Sequence, residues 1–427
     1  MSKDKTIGNI AAFLFIFNMY GYPLQIFIPF ILQINSNPIN IGIRSTIVFA
    51  SLLLIGYALP RRYNEQNSGF IWMILFWIIY SIKLIYNIEI ENVHFLQENS
   101  FYVYSFAFGA CLIPAIAVYL NSKYINLKTC IKFAFWLILL SNLSLFYAIL
   151  SSNNWNLVQV FAERGNVNVD INFESISIVN PITISFYGQL LALFSIFFIK
   201  LKIFKKSSSN IFLISTCFLG MLNLLMGASR GPTLTFLLLY IIIYLTIKTQ
   251  VKIASAKAFK RLFIVGLILF VVLLVFFQNF KLEELKIFSR LTESYQDSVA
   301  GNIKDAREYQ WESAIEQFVD NPLIGDKFVN NFDSSYAHNL ILDVLMSVGF
   351  LGLFPYLMMF VHLIHKIKYS ISSIKENPYF FFFAILLFAE FLLGLTSGGT
   401  FVAINFWLLT AFLLGYPTQL VKRLDNN

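Results

Sequence analysis

The sequence has little charge, and this scarcity limits the classes of protein that it can encode. Only 13% of its 427 residues are Asp, Glu, Lys or Arg, whereas 58% are hydrophobic and the mean hydropathy is +0.69. A water-soluble fold needs far more polar surface than this composition supplies. We therefore expect an integral membrane protein.

Cysteine is equally scarce, and no separate domain is recognisable. The three cysteines, Cys111, Cys130 and Cys217, fall in or beside apolar runs and lack the spacing of metal ligands. We therefore predict neither a disulfide framework nor a zinc site. The chain also lacks an internal repeat, a low-complexity linker and the cleavage site of a signal peptide. These absences predict a single integral membrane domain over residues 1–427.

Long apolar runs make up most of the chain. A spanning helix needs about 20 largely apolar residues, and the chain contains twelve windows of about that length. They lie at 8–33, 41–59, 70–87, 101–120, 130–151, 179–199, 210–228, 232–248, 261–279, 339–364, 378–396 and 399–417. The prediction is an all-α polytopic membrane protein with about 12 transmembrane helices. Gly21 and Pro23 indicate a bend or break in the first run, so it counts as one span or two.

The charges predict an orientation for these helices. Lysine and arginine occur in alternate connections, and acidic residues occur in the others. By the positive-inside rule, the basic connections and both termini face the cytoplasm. The net charge of +8 is spread over short turns rather than one face, which argues against a nucleic-acid partner.

One long polar segment, about 280–337, separates the ninth and tenth predicted spans and is predicted to lie outside the cytoplasm. An apolar stripe at helical spacing, together with Arg307, predicts an amphipathic helix that ends at Asn321-Pro322. The stripe consists of Trp311, Ala314, Ile315 and Phe318. We expect it to face the helix bundle or the membrane interface. A second stripe, of Glu308, Glu312, Glu316 and Asp320, is either a solvated face or a surface that meets sugar hydroxyls.

Two predicted outer turns have features of an anion site. In the first, Ser229-Arg230-Gly231-Pro232, the serine can cap a helix, the proline suits its first turn, and the glycine lets a ligand approach the backbone. Arg230 is either a phosphate ligand, an arginine that snorkels to the interface, or the partner of a structural acid in an ion pair. In the second, Arg164 precedes Asn180-Pro181 and could add another phosphate contact.

A histidine at the end of the long polar segment is the candidate base. His338-Asn339 opens the tenth predicted span, and Asp343 follows about one turn later. The positive end of a helix dipole disfavours imidazolium, so we expect His338 to be neutral at pH 7. A hydrogen-bonded interfacial histidine without a catalytic role is the alternative. Asp343 either orients a catalytic group or bridges helices.

These motifs resemble a known family. Ser229-Arg230-Gly231, then Arg307, Trp311 and Asn321-Pro322-Leu323-Ile324-Gly325, then His338-Asn339 and Gly349-Phe350-Leu351-Gly352 are similar to the O-antigen polymerase and O-antigen ligase superfamily. The resemblance implies a glycosyltransferase that acts on undecaprenyl-pyrophosphate-linked oligosaccharides without a metal or other cofactor. It implies that Arg230 and Arg164 engage the pyrophosphate and that His338 activates the acceptor hydroxyl.

The function we predict is polymerisation of O-antigen or capsule repeat units at the outer face of the bacterial inner membrane, with inversion at the anomeric carbon. The predicted site consists of His338, Arg230 and Arg164 as catalytic residues and Ser229, Gly231, Arg307, Asn339 and Asp343 as substrate-binding residues. Membrane lipid is an expected partner, and a chain-length-determining co-polymerase is a candidate one. The alternatives are the ligase, which transfers the chain to lipid A core, and a flippase for the lipid-linked repeat. The absence of duplicated halves argues against the flippase.

Overall fold

A computed structural model describes most of the chain. The described residues are 3–248, 286 and 306–417, without 33, 35–36, 63–67, 97, 164–166, 172–173, 205–207, 373 and 375–376. The predicted span at 261–279 and Arg164 therefore lie outside the described residues, as does most of 280–305.

Helices form nearly all of the described structure. Their order along the chain is α1 Lys3–Tyr20, α2 Tyr22–Leu32, α3 Asn37–Arg62, α4 Ser68–Glu89, α5 Ser100–Tyr104, a π-helix Ser105–Leu112, α6 Ile113–Asn121, a 3-10 turn Ser122–Tyr124, α7 Leu127–Ser152, α8 Leu157–Glu163, α9 Pro181–Leu201, α10 Ser208–Met226, α11 Arg230–Lys248, α12 Ala306–Asp320, α13 Leu340–Ser372, α14 Pro378–Ser397 and α15 Ile404–Gly415. An antiparallel hairpin of β1, Val167–Ile171, and β2, Glu174–Val179, precedes α9. The hairpin is the element that the all-α prediction missed.

The lengths and compositions of the helices are consistent with a polytopic membrane protein. Within the described residues, seven helices are long and apolar enough to cross a membrane, or up to eight if the bent pair α1 and α2 is one span. The 63° bend between α1 and α2 lies at Gly21, where the sequence predicts a bend or break. Helices at Asn210–Met226, Arg230–Thr246 and Ile404–Gly415 are shorter than a full span. The number of 12 spans stays a prediction.

The chain forms two compact units, which we describe separately. The first contains residues 1–19, 41–131 and 303–427, and the second contains residues 20–40 and 132–302.

Small residues hold α9 and α10 together in the second unit. A Cβ built on Gly188 would lie 2.5 Å from the carbonyl oxygen of Gly220, and one built on Gly220 would lie 2.7 Å from that of Gly188. Such close backbone approach is typical of helix pairs in membranes. Asn223 of α10 donates to the side-chain oxygen of Asn142 on α7 at 2.8 Å, so a buried amide pair adds α7 to this packing. The second unit therefore has a tightly packed core beneath the turn of Arg230.

A break in α13 shapes the first unit. Gly349 has φ 55° and ψ −155°, a conformation that is nearly restricted to glycine. The loop Pro322–Gly325 fills the break, since the N–H groups of Phe350 and Leu351 donate to the carbonyl oxygens of Pro322 and Leu323, both at 2.9 Å. Backbone groups that the break removes from the helix are thereby satisfied. The loop after α12 is thus fastened to the middle of α13.

The predicted amphipathic helix is present as α12, and its buried face includes two glutamines outside the predicted stripe. The buried residues are Gln310, Ala314 and Gln317, whereas Ile315 is exposed and Trp311 is half-buried. The two glutamines are buried because the following loop supplies polar partners, such as the carbonyl oxygen of Val329 for Gln317 at 3.1 Å. The predicted stripe therefore contributes Ala314 to the buried face, and hydrophobicity alone did not reveal the two glutamines beside it.

We predict that Gly349→Ala destabilises the protein, because the added Cβ would lie 2.6 Å from both the Gly325 nitrogen and the Pro322 oxygen. The backbone conformation alone costs a side-chain-bearing residue about 1–3 kcal/mol. The melting temperature of the purified protein in detergent is the measurement. Gly56→Ala in α3 is the matched control, because nothing lies within 4 Å of its Cβ position. Equal melting temperatures for the two variants would contradict the fastening of the loop to α13.

Candidate functional site

His338 lies in the turn that leads into α13. Its φ of 51° is left-handed, which is uncommon for a residue with a side chain. Asn339 caps the helix, since its Oδ1 accepts hydrogen bonds from the N–H groups of Ile341 at 3.0 Å and Leu342 at 3.2 Å. The cap places His338 at the mouth of α13, as the sequence predicts.

Asp343 holds the backbone on both sides of the site. It has no exposed surface; its Oδ1 accepts from the N–H of Ala337 at 3.1 Å, and its Oδ2 accepts from the N–H of Thr400 at 2.7 Å. Ala337 directly precedes His338, and Thr400 lies in the turn after α14. The sequence-based prediction placed Asp343 against the substrate. In the structure, this fully buried carboxylate binds two backbone amides and acts as a positioning group, and contact of Asp343 with a substrate stays a prediction.

Burial of His338 lowers the pKa of its imidazole, and the nearby positive charge of Arg307 lowers it further, whereas Asp333 opposes the shift. The neutral ring is therefore the main form at pH 7 and is able to accept a proton. The direction of this shift matches the neutral ring expected from the sequence, and burial and Arg307 are causes that the sequence analysis did not identify. His338 also packs against Tyr336, with 4.4 Å between ring centroids.

Asp333 is a residue that the sequence analysis missed. Burial opposes its ionisation, but hydrogen bonds from Ser335, Gln310 and Asn330 outweigh that effect and lower its pKa. The Ser335 hydroxyl donates to Asp333 at 2.6 Å and the Asn330 amide at 2.9 Å. Asp333 is thus an anion close to His338, fixed by its own loop. The only signal in the sequence was the turn-forming composition of residues 330–335.

Arg307 connects α12 to the end of α14. Its Nη2 donates to the hydroxyl of Ser397 at 3.2 Å. Burial raises the pKa of Tyr336 to about 12, and nearby Tyr102, Asp343 and Asp333 raise it while Arg307 lowers it. Tyr336 therefore stays protonated at neutral pH and retains a hydroxyl proton that it can donate. In the first unit the structure brings together four residues, two of them predicted site residues: His338, Arg307, Asp333 and Tyr336.

The turn of Arg230 lies in the second unit and is packed against the start of α9. A Cβ on Gly227 would lie 2.4 Å from the carbonyl oxygen of Pro181, so the backbones nearly touch. The N–H of Ser229 donates to the hydroxyl of Ser185 at 3.2 Å, and Ala228 is left-handed with φ 44°. Ser229 is buried and Arg230 is partly exposed. The turn is therefore held by backbone contacts that leave the arginine at the surface.

Two helices begin beside each other at this turn. Asn180 caps α9 by accepting from the N–H of Thr183 at 2.8 Å, as the sequence predicts. The helix α11 begins at Arg230, two residues earlier than the predicted start at Pro232. The first N–H groups of a helix lack partners within it and favour an anion. Gly231 in that first turn adds no side chain that would keep a ligand away.

Arg164 lies outside the described residues, so its proposed contact with pyrophosphate stays a prediction. The same holds for the convergence of Arg230 and His338 on one substrate, because the two residues belong to different compact units.

The comparison with known families addresses this part of the chain. A family model described as O-antigen ligase matches residues 215–326. The finding supports the O-antigen polymerase and ligase superfamily. The matched segment begins in α10, contains Arg230 and Arg307, and ends in the loop that is fastened to the break in α13. No curated protein matches the chain.

Members of this superfamily are glycosyltransferase-like enzymes of the polymerase or ligase type. The match and the apolar helices together indicate a multi-pass membrane protein. His338 lies beyond the matched segment, so its role rests on the geometry of the first unit.

We predict that Arg307→Gln raises the pKa of His338, because the variant removes a positive charge that favours the neutral ring. In wild-type protein, His338 should become protonated only below the ordinary histidine pKa of about 6.5. The measurement is an NMR titration of histidine-labelled protein in which the other histidines, His94, His362 and His365, are replaced. Arg307→Lys is the control and should titrate close to wild type. Identical titrations for Arg307→Gln and wild type would show that Arg307 does not act on His338.

Proposed function

We propose that the protein is a metal-independent, inverting glycosyltransferase that polymerises undecaprenyl-pyrophosphate-linked oligosaccharide repeats of O-antigen or capsule. The proposed location is the bacterial inner membrane, with both termini in the cytoplasm and the site at the outer face. The observation that carries the proposal is a histidine that is braced at a helix start, held neutral, and flanked by Arg307 and Tyr336 in a chain that matches this superfamily.

The first task of such an enzyme is to bind the pyrophosphate. Arg230 stands at the start of α11, beside the start of α9, so a guanidinium and the positive ends of two helix dipoles can meet one anion. Arg164 is proposed as a second guanidinium. Together they stabilise the negative charge that grows on the pyrophosphate as it leaves, which a metal ion does in other transferases.

The second task is to activate the acceptor. The neutral imidazole of His338 takes the proton of an acceptor sugar hydroxyl as the oxygen attacks the anomeric carbon of the donor. The new C–O bond forms while the bond to the pyrophosphate oxygen breaks, and undecaprenyl pyrophosphate leaves with the electron pair. A single displacement of this kind inverts the anomeric carbon. Asn339 and Asp343 position the histidine, whereas Arg307 keeps it unprotonated.

The ligase is the second candidate, and the family match is compatible with either enzyme. Its chemistry at His338 and Arg230 is the same, but the acceptor is a hydroxyl of lipid A core. The chain is rich in Phe, Ile, Asn and Lys, which suggests an AT-rich gene of the kind that polysaccharide clusters often carry, and on this ground we favour the polymerase. Co-polymerase binding is proposed only for the polymerase.

We predict that His338→Ala abolishes polysaccharide assembly while the protein is still made at a normal level. The measurement is the ladder of lipopolysaccharide from a deletion strain that carries the variant. Core with a single repeat indicates a polymerase, whereas bare core with unattached polymer indicates a ligase. His365→Ala, at an exposed position near the other end of α13, is the matched control and should restore the full ladder.

A near-normal ladder from His338→Ala would show that the base is elsewhere. Purified protein in liposomes with lipid-linked repeats and no ion gradient separates the enzyme from a flippase. Formation of glycosidic bonds under those conditions supports the proposal, and movement of the lipid without bond formation contradicts it.

A further inference from the structure

An exposed apolar surface lies where α12 meets the break in α13. We call Ile315, Val319, Leu323, Ile324 and Phe350 the apolar patch; all five are exposed, Leu323 at 71% and Val319 at 65%. The patch is continuous, because Phe318 of α12 contacts the ring of Phe350 with 5.2 Å between centroids. Leu323 is joined by its backbone to Leu351. Isolated exposed apolar residues are common, but contiguous ones indicate a binding surface.

The patch continues into the exposed apolar row of α13. Below Phe350, the residues Phe354, Leu357, Val361 and Ile364 are exposed along the segment that is long and apolar enough to cross a membrane. A row of this kind on a spanning helix faces lipid. The patch therefore begins where a lipid-facing surface ends.

The length of α13 places the bilayer boundary near Gly349. From Gly349 to Lys366 the helix rises about 26 Å, and the hydrocarbon core of a bilayer is about 30 Å thick. Lys366 donates to the carbonyl oxygen of Leu414 at the end of α15, which is a suitable position for a lysine near one boundary. The opposite boundary then lies close to the break in α13, at the level of the patch.

The position of Lys83 gives independent support for a bilayer boundary at the depth of the apolar patch. It lies within the apolar helix α4, and its Nζ donates to the carbonyl oxygen of Gly325 at 3.2 Å, in the loop that bears the patch. Lysines in spanning helices are stable where the ammonium reaches the interface. Lys83 and the patch thus identify the same depth.

We propose that the apolar patch inserts into the interfacial layer of the lipid bilayer, so that the C-terminal end of α12 anchors the His338 region at a fixed height. The N-terminal end of α12, with exposed Glu308, stays in water. The segment Leu340–Val348 then stands outside the hydrocarbon, and it separates His338 from the boundary by up to about 13 Å. This inference does not depend on the proposed glycosyltransferase activity.

The test uses nitroxide labels on Val319→Cys, Leu323→Cys and Glu308→Cys in liposomes of phosphatidylcholine and phosphatidylglycerol. Glu308 and Val319 lie on the same side of α12, about 16 Å apart along its axis, so Glu308 is a matched control. Power saturation compares collisions with oxygen, which concentrates in lipid, and with a polar nickel chelate, which stays in water. The native cysteines are buried, and the unsubstituted protein supplies the labelling background.

The proposal predicts a several-fold higher ratio of oxygen to nickel collisions at residues 319 and 323 than at residue 308. Ratios at residues 319 and 323 as low as that of a water-exposed label would place the patch in water and overturn the proposal, and an equally high ratio at residue 308 would contradict the placement of the N-terminal end of α12 in water. Labels at 319 and 323 that neither reagent reaches would show that another segment of the chain covers the patch, which also overturns it. Melting temperatures of the labelled variants close to wild type show that the fold is intact.

Discussion

The interaction on which the site depends is the pair of hydrogen bonds that Asp343 accepts from the backbone. A buried carboxylate is costly unless its oxygens are satisfied. Here the N–H groups of Ala337 and Thr400 satisfy both oxygens, so the anion joins the turn before α13 to the turn after α14. The hydrogen bond to Ala337 holds the adjacent His338 in its left-handed conformation. Asn339 then caps α13. The catalytic role proposed for the imidazole rests on that geometry.

The start of α13, which carries the site, is also held by backbone hydrogen bonds at the break near Gly349. Gly349 allows the loop that contains Gly325 to enter the helix, and Lys83 adds a contact from α4. A base that acts on a bulky sugar must be held within a fraction of an ångström of its productive position. The hydrogen bonds of Asp343 and those at the break near Gly349, about two helical turns apart, provide such rigidity. The proposed membrane anchor adds a defined height above the lipid, where a lipid-linked pyrophosphate is confined.

Local signals in the sequence predicted most of the helices and their starts, because they depend on neighbouring residues. The apolar windows, the cap at Asn180 and the bend at Gly21 are of this kind. Long-range contacts were not predictable. The break at Gly349 exists only because a loop more than twenty residues earlier supplies partners. The buried face of α12 includes Gln317, whose amide donates to Val329 in the following loop, a contact that the helical pattern does not reveal.

The most direct test of the account is a high-resolution map of the protein with an undecaprenyl-pyrophosphate-linked repeat bound. The account predicts the pyrophosphate at the starts of α9 and α11, in contact with the guanidinium of Arg230. It also predicts an acceptor hydroxyl within hydrogen-bond reach of the His338 imidazole, about 3 Å. A pyrophosphate bound away from Arg230, or a His338 ring separated from the sugar by packed protein, would contradict it.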